Sequence, residues 1–309
     1  MKTHIKKVFT WLGLSILMMI FWITGIFIGN MIFPSSLMDQ AAESDTNEWL
    51  FLLVCALNTL IILYFIYNAR YKGWKLAGIL FLVTFGIQYF MSQIETIWFN
   101  DSLKLSMNGI LAIVSGGAIM ALLFSPTASW LTGNFRPFNQ SLSGKVKWDL
   151  VPFAKRTVLL SVLVWPLIYF LAGYLIAWQF TDVRMFYSGT GEIASFGSIM
   201  KDNFISGLYF FQIFRGVMWI LIGLLVLMAT EGPWLHKGVI LGLLLAILGS
   251  SGLLLPNPVM PFVVRMAHLI ETAPSSFIWG LIIAWSFREF EIRKATQQDS
   301  KIPVPEEVA

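Results

Sequence analysis

Eight times along its length this chain passes through a run of about 20 residues that is almost free of charge. The runs fall at about residues 8–33, 49–67, 76–99, 107–125, 157–179, 204–229, 238–255 and 259–287. At a rise of 1.5 Å per residue, each is long enough to cross hydrocarbon as a helix. Composition removes the alternative of a greasy soluble enzyme. The chain is 57% hydrophobic and 12% charged, whereas a soluble domain carries roughly a quarter charged residues. In lipid the backbone must satisfy its own hydrogen bonds, which helices do within one segment. The expected fold class is therefore all-α, a polytopic transmembrane bundle of eight helices. It forms a single domain over 1–294, followed by a short, polar, disordered cytoplasmic tail at 295–309. The first run follows Lys2, Lys6 and Lys7 as a signal peptide would. It outlasts the 7–15 residues of a signal core and lacks a small-x-small cleavage site, so it reads as a retained anchor.

Lys and Arg bias loops to the cytoplasm. Sixteen of them fall on the side of the N-terminus, against Lys104, Arg184 and Lys201 on the other, with Arg215 and Arg265 inside runs. The expected topology has both termini cytoplasmic, in the cytoplasmic (inner) membrane of a bacterial-type cell. Trp11, Trp49, Trp74, Trp98, Trp178, Trp234 and Trp285 sit near run ends, where an amphipathic ring suits the headgroup region. The segment 125–156 mixes Trp130, Phe135, Phe138, Trp148 and Phe153 with basic residues. It reads either as an interfacial segment on the anionic leaflet or as a solvated loop. The formal charge of +4 is scattered between apolar runs, which excludes a nucleic-acid partner. Cys55 is the single cysteine, so no intrachain disulfide or cysteine-based metal centre can form.

The seventh run carries Gly238, Gly242, Ala246 and Ser250 at four-residue spacing, and the fourth carries Ala112 and Gly116. Such small faces let helices approach closely, within the chain or between copies of it. The last two runs are separated by Pro256-Asn257-Pro258, which predicts an antiparallel hairpin. Pro166 and Pro274 predict kinks in the fifth and eighth runs. No internal repeat is evident, so an inverted-repeat transporter architecture has no support.

Ionisable groups within hydrocarbon cost several kcal/mol unless paired or wetted, so each needs a reason. Glu95, Arg215, Arg265, His268 and Glu271 are the five. Counted from the nearer run end on the Lys/Arg-poor side, Glu95 lies about 6 Å deep, Arg265 about 9 Å, His268 about 13 Å, Arg215 about 16 Å and Glu271 about 18 Å. Helical periodicity puts His268, Glu271 and Ser275 on one stripe of the eighth run. It aligns Gln88, Ser92 and Glu95 on the third run, and Gln212 with Arg215 on the sixth. Matching depths pairs Glu95 with Arg265 and Arg215 with Glu271. The expected site thus comprises Gln88, Glu95, Gln212, Arg215, Arg265, His268 and Glu271, gathered between the third, sixth and eighth runs.

Three functions are compatible with such a site: binding or translocation of a small or amphiphilic solute, with proton exchange at Glu95, His268 and Glu271; a scaffold held by structural ion pairs; and a hydrolase. The hydrolase reading has a family behind it. Gly249-Ser250-Ser251-Gly252 resembles the GxSG of rhomboid intramembrane proteases, and Ala267-His268 resembles the start of their AHxxG. That resemblance implies Ser251 as nucleophile and His268 as its base. It departs at Glu271, where the family has glycine, and in placing the two elements on consecutive helices. No metal or other cofactor is expected. His4 and His236 lie on the opposite side from His268, and there is no DDxxD, EExxxR or Walker A pattern. The solute reading leads, with the lipid bilayer as the certain partner. For the topology, a cysteine placed at Ser141 is expected to resist a membrane-impermeant maleimide in intact cells and to react once they are opened. Labelling of intact cells would reverse the orientation.

Overall fold

The computed structural model describes residues 2–36, 47–135 and 150–290. The expected tail at 295–309 and the middle of the 125–156 segment lie outside them. Among the described residues eight helices are long and apolar enough to span a membrane, so the chain is an all-α, multi-pass membrane protein. They are α1 (Lys2–Ile32), α2 (Glu48–Tyr67), α3 (Gly73–Trp98), α4 (Met107–Leu131), α5 (Leu150–Gln179), then, after two short helices α6 (Thr181–Ser188) and α7 (Phe196–Ile205), α8 (Leu208–Ala229), α9 (Trp234–Leu254) and α10 (Phe262–Ser286). The expected boundaries hold to within a few residues at most ends. The exceptions are α1, which begins at Lys2, α4, which continues through Pro126 to Leu131, and α5, which begins at Leu150. A proline is tolerated in a membrane helix whose neighbours cover it, and Ser125, Ala128 and Ser129 are buried there. Pro274 also sits inside an unbroken helix.

Local chemistry sets several helix ends. The Asn47 side chain accepts from the Trp49 amide at the start of α2, and Ser106 does the same for Gly109 at the start of α4. Gly207, at φ 84°, adopts the left-handed conformation that separates α7 from α8. At the end of the bundle shared by the α2–α3 and α8–α9 turns, the two turns are clasped. The Arg70 amide donates to Ala229 O at 2.8 Å and the Glu231 amide to Asn68 O at 3.0 Å. His236 Nε2 lies 3.0 Å from Asn68 Oδ1.

Two helix pairs meet backbone to backbone. Lipid tails are as apolar as leucine, so close van der Waals packing, and not water exclusion, holds spans together. α9 and α10 form the expected hairpin. A Cβ at Gly280 would lie 2.5 Å from Gly242 Cα, and one at Gly242 would lie 2.7 Å from Phe277 O. α1 and α4 approach equally closely, since Gly25 abuts the Gly116 carbonyl and Gly29 the Ala112 carbonyl. The four-residue spacing of Gly25 and Gly29 is the same signal as on the seventh run, and it was there to be read in the first. Both small faces are thus occupied within one chain.

Helices α3 and α5 each contain a π turn, at Gly86–Phe90 and Leu160–Val164. The second lies just before Pro166, where the fifth run was expected to kink. Both π turns press on α8: a Cβ at Gly86 would sit 3.1 Å from Ile222 Cδ1, and one at Gly216 would sit 3.0 Å from Ser161 Cα. If the α9–α10 contact is as tight as this geometry requires, Gly280→Ala should lower stability by about 1–3 kcal/mol, as overpacking does. Gly78→Ala, where nothing lies within 4 Å of the new carbon, should cost nothing. Thermal unfolding in detergent compares the two; equal melting temperatures would rule out the close contact.

Candidate functional site

The segment joining α5 to α8 is folded back over the bundle. Arg184, buried on α6, donates through Nε to Gly191 O at 2.9 Å, through Nη1 to Trp178 O at 2.6 Å and through Nη2 to Thr181 Oγ1 at 3.1 Å. Val183 packs with Ala177 on α5 and with Val264 and Ala267 on α10. Beneath this segment lies a cavity of about 400 Å³ lined by parts of α3, α5, α6, α7 and α10. Glu95, His268 and Glu271 all reach it. A second depression of about 650 Å³, between residues 101–105 and α6, touches none of these three.

The electrostatic centre is a bidentate pair. Arg215 on α8 donates through Nη1 to Glu95 Oε1 at 2.7 Å and through Nη2 to Glu95 Oε2 at 2.6 Å. Two parallel charge-assisted bonds are the strongest geometry a guanidinium and a carboxylate can adopt. Gln212, one turn earlier, supports the arginine: its Oε1 accepts from Arg215 Nη1 at 3.2 Å and from Trp165 Nε1 at 3.1 Å. Arg215 is buried behind Glu95, with the rings of Trp165, Tyr169 and Phe211 within about 6 Å of its guanidinium carbon. Tyr169 on α5 donates to Glu95 Oε1 at 3.3 Å.

A second hydrogen-bonded chain runs from α10 to α6. His268 Nδ1 lies 3.0 Å from Glu271 Oε2, and His268 Nε2 lies 3.1 Å from the Tyr187 hydroxyl. His268 thus links the Glu271 carboxylate to the Tyr187 phenol through its two ring nitrogens. Burial, with the negative charges of Glu95 and Glu271 adding to it, pushes the Tyr187 hydroxyl well above the usual tyrosine range. It therefore keeps the proton it needs to donate throughout the neutral pH range.

The expected depth-matched pairs are not formed. Arg215 takes Glu95 and not Glu271, because α3 lies against α8 and brings the carboxylate directly opposite. Arg265 does not reach Glu95. Its Nη1 donates to the carbonyls of Leu253, Leu254 and Leu255, where it caps the end of α9 as a cation at a helix C-terminus does. Gln88 is not among the cavity residues. It lies inside the π turn of α3, which adds a residue to the turn and rotates Gln88 off the α-spaced stripe through Ser92 and Glu95. Its amide atoms are buried and have no partner among the described residues. The serine and histidine of the hydrolase reading are not joined: the Ser251 hydroxyl donates to Asn58 Oδ1 at 2.7 Å, while both ring nitrogens of His268 face other groups. The groups that periodicity did not supply are Tyr169, inside an apolar run, and Tyr187 and Arg184, between the fifth and sixth runs. Among the described residues no group of three or more His, Cys, Asp or Glu could hold a metal ion.

Comparison with family models, curated proteins and solved structures finds no match to this chain.

Losing one partner of a buried, bidentate pair strands the other charge, at a cost of about 3–5 kcal/mol. Glu95→Gln, which strands the buried Arg215, should lower stability by about that amount, Arg215→Met, which leaves a carboxylate that is 30% exposed, by less, and the double variant should recover part of it. Arg215→Met combined with Glu271→Gln should be additive. A thermal double-mutant cycle reads both combinations. Recovery with Glu271 in place of Glu95 would show that the pairing is wrong.

Proposed function

We propose that this chain binds a small solute in the cavity between α3, α5 and α10, and holds or passes it within the membrane. The observation that carries the reading is the meeting of ionisable side chains on the spans with open volume. Ion pairs that serve only to fix helix register need no void beside them, yet Glu95, His268 and Glu271 line one of about 400 Å³. That size falls in the range of small-molecule pockets, and intramembrane ionisable groups mark solute or proton paths by default. Both hydrogen-bonded chains end on it, so a proton exchanged at Glu271 or His268 is a natural accompaniment of binding.

The distribution of Lys and Arg supports cytoplasmic termini, which places the cavity in the half of the membrane facing away from the cytoplasm. Against the hydrolase reading stands the Ser251–Asn58 bond. Gly173 offers the test. A Cβ there would lie 3.6 Å from Glu271 Oε1, so a bulky side chain at this position fills the cavity. Native mass spectrometry of the purified protein is expected to find a reproducible bound mass that disappears in Gly173→Phe. An adduct retained in that variant, or none in the wild type, would rule out the cavity as the binding site.

A further inference from the structure

We infer that the solute is a protonated organic amine with an aromatic or similarly apolar body, an inference that rests on the cavity being the binding site. Its charge comes first. None of the described residues lining the cavity is Lys or Arg. Arg215, the cation bonded to Glu95 in the cavity wall, already has both its terminal nitrogens on that carboxylate. Glu271 therefore meets only an imidazole, through one of its two oxygens. The other oxygen, Oε1, forms no hydrogen bond among the described residues and points past Gly173, which leaves it uncovered. The Glu271 side chain is only 8% exposed. A carboxylate oxygen that faces the cavity without a donor calls for one that carries positive charge, and an ammonium N–H supplies both. An anion would be repelled by Glu271, whose Oε1 meets no cationic side chain, and a neutral alcohol would offer that oxygen a donor without a charge.

The body of the ligand follows from the walls. The Tyr187 ring lies edge-on to Phe99 at 5.6 Å and stacks on Trp178 at 6.4 Å, while Tyr169 and Phe170 line the wall formed by α5. Aromatic faces around a carboxylate attract a cation and accommodate an apolar ring in the same space.

Isothermal titration at pH 7 with tryptamine, its isosteric alcohol tryptophol and indole-3-propionate separates the possibilities. The wild type is expected to bind tryptamine at least tenfold more tightly than tryptophol and to give no measurable heat with the acid. Glu271→Gln should reduce tryptamine to the level of the alcohol. Should Glu271→Gln not fold, Trp178→Leu gives the second reading, weakening tryptamine about threefold or more relative to the wild type, as loss of a cation–π wall does. Equal or tighter binding of tryptophol or the acid overturns the amine inference while leaving the cavity as a binding site. Binding of none of the three also overturns it, and the bound mass in wild type and Gly173→Phe then judges the cavity on its own.

Discussion

Hydrocarbon supplies no hydrogen-bond partners, so every charge carried into it must bring its own. The pair between Arg215 and Glu95 answers that demand and, in doing so, fixes the middle of the bundle. A guanidinium held by two oxygens at 2.6 and 2.7 Å locks α8 against α3 in one register. Gln212 and Trp165 then bring α5 into the same network through the indole N–H. Such pairs contribute little net stability, because desolvating the two ions offsets most of their attraction; their value lies in specifying one arrangement over its neighbours. The cavity exists because α3 and α5 are held in place by this network while α10 supplies the facing wall.

Three different devices handle Arg265, Glu271 and Arg184. Arg265 is absorbed by the carbonyls that end α9, a backbone task that needs no acidic partner. Glu271 is shared with a histidine on its own helix and, through it, with a tyrosine on the short helix α6. Arg184, although outside the spans, is buried all the same and ties its own loop into a lid by binding three oxygens. Only the last device converts a stretch of loop into part of the cavity.

The spans were legible because their signal is length and hydropathy, which depend on nothing but the chain itself. The hairpin of α9 and α10 was legible for a similar local reason, a pair of prolines around Asn257. Partner choice was not. Depth along a helix constrains which groups can meet, but Arg265 and Glu95 lie on helices that do not present these groups to each other, a fact of tertiary arrangement invisible in periodicity. Gln88 shows a subtler failure: the stripe was drawn with a uniform 100° step, and the π turn at Gly86–Phe90 breaks that step at the residue in question. Glu95, His268 and Glu271 survived as cavity residues because Glu95 lies beyond the break and the other two lie on a helix without one.

The backbone contacts within α1–α4 and α9–α10 also have a mechanical meaning. Where Cα meets Cα, there are no side chains between the helices to change rotamer and absorb a displacement, so each pair acts as a single stiff strut. Compliance is then concentrated in α3, α5 and α8. Two of those carry π turns, and the third is gripped by them. Any widening or narrowing of the space around Glu271 must be taken up by these three helices moving against the α9–α10 pair, which itself bears Glu271.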